Sequence, residues 1–113
     1  MSSRNALLTS PPFEVEQALK TLGQNLRTAR LRRNLSLEDI AAKVGVGRHV
    51  VGAAERGKPS TGIAVYVAML WALGLTDQLT GVADPLSDEE GLLLANRRER
   101  VRAHPRKGLS NDF

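Results

Sequence analysis

Residues 35–57, LSLEDIAAKVGVGRHVVGAAERG, decide the fold. Ser36 is placed to cap a helix running from about Leu37 to Val44, and Asp39, three residues on, is its capping-box partner. Each side chain then meets an amide that the first turn leaves unpaired. Ile40, Ala41 and Val44 fall on one face at helical spacing. Gly45 supplies the positive φ of a sharp helix stop, and Val46 plugs the corner. A second helix is expected from about Arg48 to Arg56, with Val51, Ala54 and Glu55 turned inward and Gly57 ending it.

Helix, glycine-containing turn, helix at this length is the helix-turn-helix arrangement, which lays its second helix in the DNA major groove. The N-terminal residues of that helix then face base edges: Arg48, His49 and, one turn later, Gly52 and Ala53. Arg48 suits guanine or a phosphate, His49 donates or accepts at a base edge, and Val50 or Ala53 fits a thymine methyl. Phosphate contacts are expected from Ser36, Arg48, Lys58, Ser60, Arg27 and Lys43, and from backbone amides at Gly47 and Leu37, where the two helices begin. For any single surface Lys or Arg the alternative is a solvated side chain.

The stretch resembles the Cro/C1-type (XRE-like) helix-turn-helix domains. The resemblance rests on Ile40-Ala41, Gly45-Val46, Arg48, Val51, Glu55-Arg56-Gly57 and Ala72-Leu73-Gly74-Leu75, and covers roughly Leu22 to Val82. Downstream, GKPSTGIAVYVAMLWALGLTDQL (57–79), then ADPL and a basic tail, resembles the HipB-type antitoxins that partner HipA-type kinase toxins. The resemblance implies a five-helix, lambda-repressor-like domain and a partly buried salt bridge between Arg30 and Glu55. It further implies a homodimer on a palindromic double-stranded operator, repression of a toxin–antitoxin operon and a HipA-type kinase partner. Three positions depart from the family. Gly47 stands where Ser or Thr is usual, Leu37 where a polar residue often meets phosphate, and Gly52 has no side chain. Base readout would then rest on few side chains, with DNA deformability or dimer spacing supplying the rest. Two other readings stay open: a phage-type repressor without a kinase, and a helix-turn-helix protein-interaction module that does not read DNA.

Outward from the pair, residues 1–12 read as a flexible arm. Phe13 to Arg33 reads as a long first helix with Val15, Leu19, Leu22, Leu26 and Ala29 on one face. Gly23 in its middle costs roughly 1 kcal/mol relative to Ala and marks a place for a kink or break. A fourth helix, Gly62 to Leu73, is apolar nearly all round. Ile63, Tyr66, Leu70 and Leu73 make one stripe, and Ala64, Val67, Ala68 and Trp71 another. The second stripe needs cover from another subunit, a partner protein, the first helix or the C-terminal segment. Trp71, Val67 and Ala64 are therefore the interface candidates. A short fifth helix, Thr76 to Val82, is expected to pack back through Leu75, Leu79 and Val82. Ser87-x-x-Glu90 then forms a capping box for a helix from Asp88 to about Arg102, its pattern weakening beyond Asn96. His104 to Phe113 reads as a disordered tail. The organisation expected is all-α: an arm (1–12), a helix-turn-helix domain (13–83) and a C-terminal helical segment with a basic tail (84–113).

Composition narrows the function. Residues 20–58 hold nine bases against three acids, the balance a phosphate-contacting domain needs. There is no Cys, and the two histidines, His49 and His104, have no ligand partners at metal spacing, so no metal and no cofactor is expected. No nucleophile, base and orienting acid form a motif, so the chain does not read as an enzyme. GAAERGK (52–58) mimics the start of a P-loop, but Pro59 replaces the required Ser or Thr and no strand precedes it. The apolar stretch from Ile63 to Trp71 is too short to cross a membrane. The expected location is the bacterial cytoplasm, at the nucleoid.

Overall fold

The computed structural model describes residues 5–103, and all regular structure among them is helical. The order is α1 (Ala6–Thr9), α2 (Phe13–Arg32), α3 (Leu37–Val44), α4 (Arg48–Glu55), α5 (Ile63–Ala72), a 3₁₀ helix (Thr76–Gly81) and α6 (Glu89–Ala103). The chain divides into two compact units, one ending at Thr76 and the other beginning at Asp77.

The first unit is built around α4, which packs on α2, α3 and α5. Its core is almost wholly aliphatic: Leu26 from α2, Ile40 and Ala41 from α3, Val51 and Ala54 from α4, and Met69 and Leu70 from α5. The one aromatic in it, Tyr66, keeps its hydroxyl satisfied by donating to the Lys58 carbonyl at 3.4 Å, and burial pushes its phenol up.

Local chemistry sets the helix ends. The Asp39 amide donates to Ser36 Oγ at 3.0 Å, and the Ser36 amide donates to Asp39 Oδ2 at 2.8 Å, closing the capping box. These hydrogen bonds with Ser36 hold the Asp39 carboxyl below the usual carboxylate range. Gly45, at φ 91°, turns the chain out of α3, and the amides of Gly45 and Val46 both donate to the Ala41 carbonyl.

α2 runs through Gly23 without a break. The glycine serves close approach instead. A Cβ there would lie 2.5 Å from the Glu55 carbonyl oxygen and 2.6 Å from that of Ala54. At Gly57, whose φ is +71°, a Cβ would lie 2.7 Å from the Leu19 backbone. The two glycines let α2 lie directly against the end of α4.

Several other expectations are corrected. Residues 6–9 of the supposed arm form a helical turn capped by Asn5, whose Oδ1 accepts from the Leu7 amide at 3.0 Å. Val15 is exposed, because the buried residues of α2 begin only at Gly23. Ile63, at the first turn of α5, is 71% exposed, whereas Tyr66, Leu70 and Leu73 of the same stripe are buried. The fifth helix is 3₁₀, and Val82, expected to pack back, is 69% exposed. α6 is capped by Asp88, whose Oδ1 accepts from the Gly91 amide at 3.1 Å, and not by Ser87, whose amide donates to the Asp84 carbonyl. α6 itself ends at Ala103, close to the expected Arg102, and so runs through the weaker pattern beyond Asn96. The Arg and Glu residues there are good helix formers, and the cations favour the helix C-terminus. The tail from His104 onward, His104 itself included, lies outside the described residues.

Candidate nucleic-acid interface

One face of α4 is held and the other is open. Val51, Ala54 and Glu55 are buried, Arg48 and His49 are exposed, and Val50, Gly52 and Ala53 are half-buried. Gly47, the N-cap, makes no side-chain cap hydrogen bond. The His49 imidazole folds back over it, so close that a Cβ at residue 47 would lie 2.7 Å from the ring. A Cβ at residue 47 would require this exposed ring to swing aside. Arg48 reaches across the turn to α3, its Nη1 lying 3.1 Å from Glu38 Oε2 with both side chains exposed.

The buried face is tied down by an ion pair. Arg30 on α2 donates from Nε to Glu55 Oε2 at 2.7 Å and from Nη2 to Oε1 at 2.9 Å. Its Nη1 donates to the Leu35 carbonyl at 2.9 Å. The hydrogen bond with Glu55 raises the Arg30 pKa against the opposing effect of burial. One guanidinium thus links α2, the end of α4 and the loop entering α3, with both Glu55 oxygens satisfied.

Between α2 and the C-terminal half of α4 is a groove of about 570 Å³ lined by Lys20, Gln24, Arg27, Arg30, Leu37, Gly52, Glu55 and Arg56. Because Arg30 neutralises Glu55, the groove's remaining charge comes from Lys20, Arg27 and Arg56. Arg27, Arg30, Leu37, Gly52 and Glu55 were singled out by sequence, while Lys20, Gln24 and Arg56 were not. Lys20, Gln24 and Arg27 recur at i, i+4 and i+7 along α2, a spacing that groups them on one face. Arg56 lies along the gap left by Gly52, its Nη1 3.4 Å from where a Cβ would be. Ser36, Lys58 and Ser60 are exposed outside this groove. Lys43 is elsewhere: its Nζ sits 5.4 Å from the centroid of the Trp71 ring, at a cation–π distance. Trp71 is 55% exposed, with Ala64 exposed and Val67 half-buried on the same stripe of α5.

Among the described residues, no group of three or more His, Cys, Asp and Glu side chains could hold a metal ion, and no helix is long and apolar enough to cross a membrane. Short helix, glycine turn and a second helix with one face held and one open define a helix-turn-helix domain, the kind that DNA-binding regulators carry. Residues 21–81 match the helix-turn-helix domain family, and the chain belongs to it. No curated protein and no solved structure matches the chain.

Proposed function

We propose that this protein is a sequence-specific transcriptional repressor that binds a palindromic double-stranded operator as a homodimer through residues 13–83. The observation that carries this reading is the two-sidedness of α4: Val51, Ala54 and Glu55 are locked into the core while Arg48 and His49 stand clear of it. A rod held on one side and bare on the other suits a major groove about 12 Å wide. Arg48, His49, Val50, Gly52 and Ala53 face the bases. Arg27, Ser36, Lys58 and Ser60, with the amides at Leu37 and Gly47, meet phosphates, and Lys20 and Arg56 join them at the groove. Lys43, held over Trp71, belongs instead with the outer stripe of α5. That stripe, Ala64, Val67 and Trp71, takes a second subunit or a protein partner. In the finer reading, α2 to α5 with the 3₁₀ helix form the five-helix Cro/C1 arrangement. The chain is then a cytoplasmic HipB-type antitoxin whose partner is a HipA-type kinase.

A second reading, a helix-turn-helix module that binds protein alone, draws on the bare backbone at Gly52 and on the engagement of Arg48 by Glu38. Titration of a duplex from upstream of the gene, followed by fluorescence anisotropy, separates the two. Binding that weakens with salt at a slope of about −0.9 per neutralised phosphate supports the repressor. Absence of duplex binding at low salt supports the module. Co-purification of a kinase encoded beside the gene supports the antitoxin identity, and a neighbourhood with no kinase gene favours a phage-type repressor.

A further inference from the structure

We infer that Glu38 is a positioning residue that makes Arg48 selective for guanine over phosphate. The inference rests on the proposed reading of DNA by α4. Arg48 opens that helix, where the positive end of the helix disfavours a cation. Glu38 lies in the first turn of α3, where an anion is favoured, and its Oε2 is 3.1 Å from Arg48 Nη1. A guanidinium carries five N–H donors in a planar fork. With Nη1 turned toward Glu38 in this ion pair, the Nη2 and Nε edge stays free, and that edge matches the O6 and N7 acceptors of guanine. A guanine can therefore be read without breaking the pair. A phosphate cannot be approached as cheaply, because the Glu38 carboxylate would be brought beside a second anion in an exposed site. Glu38 thus penalises the use of Arg48 on the backbone, which every DNA sequence offers, and spares its use on a base. It also fixes the long Arg48 side chain from one side before DNA arrives, reducing the rotamer freedom lost on contact.

The test compares dissociation constants for a duplex chosen by the wild-type chain from a random pool and for a scrambled duplex. The chains are wild type, Glu38→Gln, Arg48→Ala and the double variant. Glu38→Gln is expected to narrow the ratio of the two constants roughly two- to fivefold per subunit, the scale of an exposed ion pair. Most of that change should come from tighter binding of the scrambled duplex, with a salt slope steeper by about 0.9 per subunit. In the Arg48→Ala background, Glu38→Gln should leave the ratio unchanged. If the wild type selects a sequence but Glu38→Gln keeps its ratio, the role of Glu38 is overturned and the reading of DNA by α4 stands. An equal effect of Glu38→Gln with and without Arg48 also overturns it, since Glu38 would then act only as surface charge. A wild type that prefers no sequence overturns both.

Discussion

Arg30 and Glu55 meet edge to edge, with two hydrogen bonds of 2.7 and 2.9 Å, at the point where α2 crosses the end of α4. Both side chains are more than nine-tenths buried. Neither charge is tolerable there alone, because the stranded partner keeps its desolvation cost and loses its compensation. Arg30→Ala or Glu55→Ala is therefore expected to cost about 3–5 kcal/mol, read from urea unfolding midpoints. Arg30→Met with Glu55→Leu should cost much less than either single change, since an apolar pair of similar volume strands no charge.

Gly23 gives a prediction opposite to helix propensity. Ala is the better helix former by about 1 kcal/mol, so Gly23→Ala on an isolated α2 would stabilise it. In the folded protein the new methyl meets the carbonyl oxygens of Ala54 and Glu55, which are backbone atoms and cannot turn aside. Gly23→Ala should destabilise by about 1–3 kcal/mol or more through overpacking. Gly52→Ala is the control. Its Cβ meets only the end of Arg56 at 3.4 Å, so thermal unfolding should show it neutral or stabilised by up to about 1 kcal/mol.

The Ser36–Asp39 capping box makes stability depend on pH in a definite direction. Its hydrogen bonds hold the Asp39 carboxyl below its ordinary value, so the unfolded chain takes up this proton more readily than the folded one. The contribution is complete above the unfolded value of about 3.9 and is lost as pH falls through the lower folded value. The gap in thermal midpoint between wild type and Asp39→Asn should be constant near neutral pH and shrink below about pH 4.

Backbone contacts and base contacts are expected to respond differently to substitution. Lys58→Ala and Arg27→Ala should each weaken every duplex by a similar factor and flatten the salt slope by about 0.9 per subunit. Anisotropy titrations at several salt concentrations, on a selected and a scrambled duplex, check both effects.

What could be read from the chain was local. The Ser36 cap, the stop at Gly45 and the inward positions Ile40, Ala41, Val51 and Ala54 follow from spacings of a few residues, where capping and helical periodicity act. The role of Gly23 was not legible, because it depends on the carbonyls of a helix distant in sequence. Neither was the reach of Arg48 to Glu38, which crosses a turn whose geometry has to be known first. Asp88 and Ser87 are both competent caps, and their adjacency left the start of α6 ambiguous by one residue. Its far end, expected near Arg102, lies at Ala103 although no residue of the helix is buried.

Selection of duplexes from a random pool tests the central claim, that the open face of α4 reads bases. Wild type should enrich two inverted half-sites whose centres lie about one helical turn, or a multiple of it, apart. Arg48→Ala and His49→Ala should each lose base preference at one position per half-site, at a cost of roughly 1–3 kcal/mol in discrimination for a bidentate contact. Enrichment of the same sites by all three proteins, or of none by the wild type, would contradict the account.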